Sequence, residues 1–196
     1  MTKFIVATAL LAASMCAQAA VHLTTDSSLA SATLGANHDR AVYQGSTVDV
    51  ANLFVSDPAK VTYTLEFKEA SFNNRFFSGA TLVFSNTATA AGTTFTNIAG
   101  AGLLDFSFGI NSAVASLFNG ANSADEPNFG ILFKSTTDAV LFVNDTGANK
   151  DHDWDDMIIK VHVEAIPEPG SWMLLLAGIG VLGLLVRRRT HPLALI

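Results

Sequence analysis

From Gly170 to Val186 the chain carries no charge for 17 residues, and Arg187-Arg188-Arg189 closes the run. Wound as a helix, such a run extends about 25 Å at ~1.5 Å per residue. The hydrocarbon layer of a membrane is about 30 Å thick. The run is apolar all round rather than on one stripe, so it does not suit the surface of a soluble core. It predicts a membrane segment, with Trp172 at one interface and Arg187, Arg188 and Arg189 at the other, holding the carboxy-terminal side in the cytoplasm. Ala177, Gly178, Gly180 and Gly183 keep this helix slim, as in membrane helices that pack closely.

The opposite end predicts a matching topology. Lys3 precedes an uncharged apolar stretch that ends near Cys16, and Ala17-Gln18-Ala19 follows. This is the layout of a secretory signal peptide, with the Ala17/Ala19 small-residue pattern placing cleavage before Ala20. Ser14-Met15 ahead of Cys16 makes a poor lipobox. Cleavage would remove Cys16, the only cysteine, and with it any disulfide or thiolate chemistry. The expected organisation is a signal peptide (1–19), an exported domain (20–165), a sorting and anchor segment (166–189) and a cytoplasmic tail (190–196).

Between Ala20 and Pro169 lie all 17 acidic residues and seven of the 11 basic ones, a net of −10. Nucleic acid is excluded as a partner, since phosphate binding needs clustered Lys and Arg. Neutral glycans or divalent cations suit such a body better. Its strand signals are frequent. "VTYTLEFK" (61–68) alternates apolar and polar residues with period two. Further candidate strands are 80–86, 93–99, 103–110, 129–135, 139–145 and 156–165, separated by Gly- and Asn-rich turns. Residues 111–118 suggest one short helix. Together these predict an all-β fold, an antiparallel β-sandwich of jelly-roll type. Phe67, Phe84, Phe106, Phe108, Phe133 and Phe142 are expected in its core. Phe76 and Phe77 are expected in a loop, because neighbours on a strand cannot bury both rings on one face. Asp105 is expected to face solvent.

Pro167 and Pro169 frame Glu168. Each proline restrains itself and the preceding residue to extended backbone. An extended peptide just outside the membrane is the form in which proteases and transpeptidases bind substrates. The order Pro167-Glu168-Pro169, apolar run (172–186) and Arg187-Arg188-Arg189 resembles the PEP-CTERM sorting signal of Gram-negative bacteria. That resemblance covers about 25 residues and implies export by the Sec machinery, a transient stay in the inner membrane and handling by an exosortase. Delivery to the cell surface or the exopolysaccharide matrix would follow. The tail "THPLALI" after the arginines is longer and more apolar than the usual end of such signals.

Upstream, Asp145, Asp151, Asp153, Asp155 and Asp156 crowd one short stretch. Asp151, Asp153 and Asp155 alternate, so on an extended chain they point to one side. Two readings stay open: Ca²⁺ held by hard oxygen ligands, or a solvated acidic turn before the last strand. An EF-hand is rejected, because Asp156 stands where that loop turns on Gly and His162 where it closes with Glu. The cluster is also similar to the aspartate-rich turn, carrying an aromatic, that precedes the last apolar strand of many secreted β-rich bacterial domains. His152 and His162 have no motif partner for zinc.

No nucleophile, metalloprotease, phosphate-loop or dinucleotide motif is present. The expectation is a non-catalytic exported protein of the surface or matrix, with extracellular polysaccharide as its partner. The alternative is an anchored or secreted glycan-active enzyme whose site one sequence does not reveal.

Overall fold

A computed structural model of the chain describes residues 20–35, 40–69, 72–145, 154–166 and 175–183. Ala20–Ala165 forms one compact unit. Its strands are β1 (Leu23–Thr25), β2 (Ala30–Thr33), β3 (Thr47–Val50), β4 (Leu53–Val55), β5 (Ala59–Lys68), β6 (Arg75–Ser78) and β7 (Thr81–Ser85). After them come β8 (Thr94–Ala99), β9 (Gly102–Leu103), β10 (Phe106–Gly109), β11 (Leu117–Phe118), β12 (Asn128–Phe133), β13 (Asp138–Asn144) and β14 (Met157–Ala165). A 3-10 turn at Ala41–Tyr43 precedes β3.

The strands build an all-β sandwich. A seven-stranded sheet has the order β2-β3-β12-β13-β14-β5-β8, a four-stranded sheet the order β11-β10-β6-β7, and a small third sheet the order β1-β4-β9. Every pairing is antiparallel. The alternation of β5 accounts for its burial. Ala59, Val61, Tyr63 and Leu65 are at most 1% exposed, while Lys60 between them stays in water. On β14, Met157, Ile159, Val161 and Val163 join the same core. Ile158 falls on the reverse face, with Val140, Phe142, Trp154 and Tyr43. Successive strand residues point to opposite faces, so one large sheet carries two apolar clusters.

The main core is aromatic at its centre. The Phe76 ring lies 4.9 Å from Tyr63, 5.3 Å from Phe108 and 5.8 Å from both Phe84 and Phe106, centroid to centroid. Offset and edge-to-face ring pairs of this kind add about 0.5–1.5 kcal/mol each beyond their burial.

One end of the sandwich is closed by asparagine side chains acting as backbone. Asn119 Oδ1 accepts from the Leu53 N–H at 2.8 Å, and its Nδ2 donates to the carbonyls of Leu53 and Leu104 at 2.8 and 2.7 Å. Asn122 Nδ2 donates to the carbonyls of Ala51 and Phe129, both at 2.8 Å. Strand ends with no neighbouring strand are satisfied in this way, as buried backbone groups must be.

Four sequence expectations are corrected. Residues 111–118 form bends and then β11, not a helix. Asn111 takes φ +44°, outside the right-handed helical region. The 103–110 run is split into β9 and β10, with exposed Asp105 at the break. Phe76 and Phe77 are not in a loop but on β6, 0% and 8% exposed. Phe76 enters the aromatic core, and a register shift against β7 separates it from Phe77, whose ring lies against Gly109. A strand buries adjacent rings when both of its faces are covered. Finally, Phe133 is 39% exposed and Phe67 half-buried under the Arg40 guanidinium, 4.4 Å from its ring centre.

Candidate functional site

The tail begins where the body's sheet ends. β14 pairs with β13 on one side and β5 on the other, and its last residue, Ala165, lies opposite Ala59. The Val163 N–H donates to the Thr137 carbonyl at 3.0 Å, so the strand is held almost to its end. Only Ile166 separates the strand from Pro167. Residues 175–183 form a helix without a charged side chain. Leu175, Leu176, Ile179, Val181 and Leu182 are 41–67% exposed on it. Among the described residues no helix is long and apolar enough to cross a membrane. Ala17 and Ala19, Pro167, Glu168, Pro169, Trp172, Arg187, Arg188 and Arg189 lie outside the described residues, and Ala20 is the exposed first residue of the body.

The acidic stretch is partly described. Asp145 and Asp156 bracket residues 146–153, which include Asp151, His152 and Asp153 and lie outside the described residues. The fold brings the two bracketing residues together. The Asp145 N–H donates to Asp156 Oδ2 at 2.9 Å, and Asn74 Nδ2 donates to Asp145 Oδ2 at 2.6 Å. The Asp156 carbonyl accepts from the Glu69 N–H at 3.1 Å. Asp145, Asp155 and Asp156 are 1%, 6% and 8% exposed, so these three are not the solvated part of a turn. Burial of carboxylates demands such charge-assisted partners. Trp154 is buried beside them in the reverse-face cluster. Among the described residues no group of three or more His, Cys, Asp or Glu side chains is arranged to hold a metal ion.

A polar chain runs across the open face of β13 and β14. His162 Nδ1 lies 2.7 Å from Asp138 Oδ1, and its Nε2 lies 3.6 Å from Glu164 Oε1. Lys60 Nζ pairs with Glu164 at 2.9 Å. Ser135 and Thr137 donate to the other oxygen of Asp138. These bonds, Ser135 first, hold the Asp138 carboxyl below its ordinary pKa. Ser135 bonds to the carboxylate and not to the imidazole, so the cluster lacks the hydroxyl-to-histidine contact that would activate a nucleophile.

A cleft of about 260 Å³ opens where the two main sheets part at the β8 edge. Tyr63, Asn97 and Asp105 supply its polar groups. Sequence reasoning passed over it, because its residues come from β5, β6, β8, β9 and the links that follow the last three. The one available signal was Asp105, an acid inside an apolar run.

These features define a class: an acidic, all-β body followed in sequence by Pro167-Glu168-Pro169 and an apolar carboxy-terminal run. Residues 165–189 match the model of the PEP-CTERM protein-sorting motif, so the chain carries that signal and is an exported, exosortase-sorted protein. The motif implies a membrane-anchored intermediate on the way to the surface. Comparison with curated proteins and with solved structures gives no match.

Proposed function

We propose that the mature body is a non-catalytic component of the cell surface or exopolysaccharide matrix, released from the inner membrane when an exosortase processes the tail near Pro167-Glu168-Pro169. The single observation that carries this reading is the sorting motif at 165–189, following directly on the last strand of an acidic β-sandwich. A net charge of −10 over 20–169 favours neutral glycan as the polymer it meets. The test uses a chain tagged within the body and again at the carboxy terminus. The body tag is expected in the surface or matrix fraction without the terminal tag. Full-length, doubly tagged protein resident in the inner membrane would replace this reading with a permanent anchor. Turnover of purified exopolysaccharide by the body would replace it with a glycan-active enzyme.

Calcium at residues 145–156 belongs to the same proposal. Buried Asp145, Asp155 and Asp156, in the same stretch of sequence as Asp151 and Asp153, support it. Added Ca²⁺ is expected to raise the melting temperature of the wild type and not of a variant with all five aspartates changed to asparagine. An unchanged wild-type melt would dismiss the metal.

A further inference from the structure

The β8-edge cleft is lined by polar groups for which no side-chain hydrogen-bond partner is found among the described residues. Tyr63 is 1% exposed, yet no hydrogen bond reaches its hydroxyl among the described residues. Among the described residues Asn97 Oδ1 is buried without a hydrogen-bond partner, while its Nδ2 donates to Ser78 Oγ at 2.8 Å. The Tyr63 hydroxyl is not among the fully buried unpaired atoms, and Tyr63 lines the cleft, where water or a ligand can meet its hydroxyl. The third polar group is the Asp105 carboxylate. It lies against Gly79, where an added Cβ would sit 3.2 Å from Oδ2, and the Gly79 N–H is bonded to the Asp105 carbonyl at 3.1 Å. Gly79 has φ +56°, a conformation that glycine adopts readily. Ile98 and Leu103, 66% and 44% exposed, flank the opening with apolar surface.

We propose that this cleft is a subsite for one neutral sugar residue of a polysaccharide. The inference rests on the matrix reading above and names the surface that would make the contact. A ligand here must both donate to Asp105 and accept from Tyr63, as neighbouring sugar hydroxyls do. Burial first, and then the nearby Asp105 charge, push the Tyr63 phenol above its ordinary pKa, so it stays a donor. Ile98 and Leu103 suit the C–H face of the same ring. A divalent cation would need six or more oxygen ligands, and one carboxylate among neutral groups is a poor host. An acidic sugar would be repelled by Asp105. At about 260 Å³ the cleft falls below the roughly 300–1,000 Å³ of drug-sized pockets, which suits a single ring.

The test is NMR shift mapping on the full chain in detergent, with the methyl glycosides of glucose, galactose and mannose added to the millimolar range where single subsites bind. At least one glycoside is expected to give saturable shifts confined to residues 63, 78–79, 97–100 and 103–105. Tyr63→Phe and Asp105→Asn should each weaken that binding by about tenfold or more. Neither should lower the melting temperature, because neither removed group has a hydrogen-bond partner among the described residues. No shifts with any glycoside, unchanged binding in both variants, or the same shifts with CaCl₂ alone would overturn the subsite. Co-sedimentation with the exopolysaccharide of the producing bacterium separates this result from the broader reading. Equal retention of wild type and the double variant overturns the subsite and leaves the matrix role standing. If neither is retained, the matrix role fails, and the subsite is decided by the glycoside shifts alone.

Discussion

Asn119 shows how much one side chain contributes to this body. It makes three hydrogen bonds to backbone groups of Leu53 and Leu104, all in a buried setting. Asn119→Ala removes every one and strands those groups. The expected loss is about 3–4 kcal/mol, read as a lower urea midpoint with an unchanged slope. Asn119→Asp should be nearly as damaging, since a carboxylate has no N–H for the two carbonyls. Gly130 is a different case. A Cβ there would meet Val48 Cγ2 at 2.7 Å, Val48 Cβ at 2.9 Å and Trp154 at 3.1 Å. Gly130→Ala should cost about 1–3 kcal/mol by overpacking, measured as a fall in the same urea midpoint. Neither role shows in the sequence. Asn119 sits in an Asn- and Gly-rich stretch that reads as an ordinary turn, and nothing local says that its amide ends a sheet 66 residues away.

Elements were legible in proportion to their length and their regularity. The alternation of β5 and the apolar runs of β12, β13 and β14 mark them plainly. β1, β9 and β11 are two or three residues long, too short for period two to register. β6 was hidden for another reason. A strand covered on both faces loses its alternation, so Arg75–Ser78 reads as a loop. The β13–β14 pair makes a prediction about pH. The lowered Asp138 pKa, due first to Ser135 and then to His162 and Thr137, means its carboxylate form is favoured in the folded state. The stability it contributes is complete above the ordinary Asp value near 4 and is lost as pH falls through the lower folded value. The side chain is 43% exposed, so the contribution is under about 1 kcal/mol after screening. Melting curves from pH 6 to pH 2 should therefore fall less steeply for Asp138→Asn than for the wild type, with equal slopes disproving the linkage.

For the whole molecule, the sandwich and the sorting tail were both readable, and the cleft was not. The first two are written in continuous stretches of chain. The cleft is assembled from Tyr63, Ser78, Asn97 and Asp105, which only the packing of two sheets brings together. Strand order adds a consequence about timing. β14 lies inside the seven-stranded sheet, between β13 and β5. Until it arrives, that sheet exists as two unjoined pieces, β2-β3-β12-β13 and β5-β8. A chain ending at Asp156 should consequently show no cooperative melt, whereas a chain ending at Ile166 should melt as one unit. The strand that joins the two pieces is also the one next to the sorting tail. Emerging from the export channel, the body can complete its sheet only as the tail reaches the membrane. The tail therefore follows directly on the one strand without which the two pieces of the large sheet stay apart.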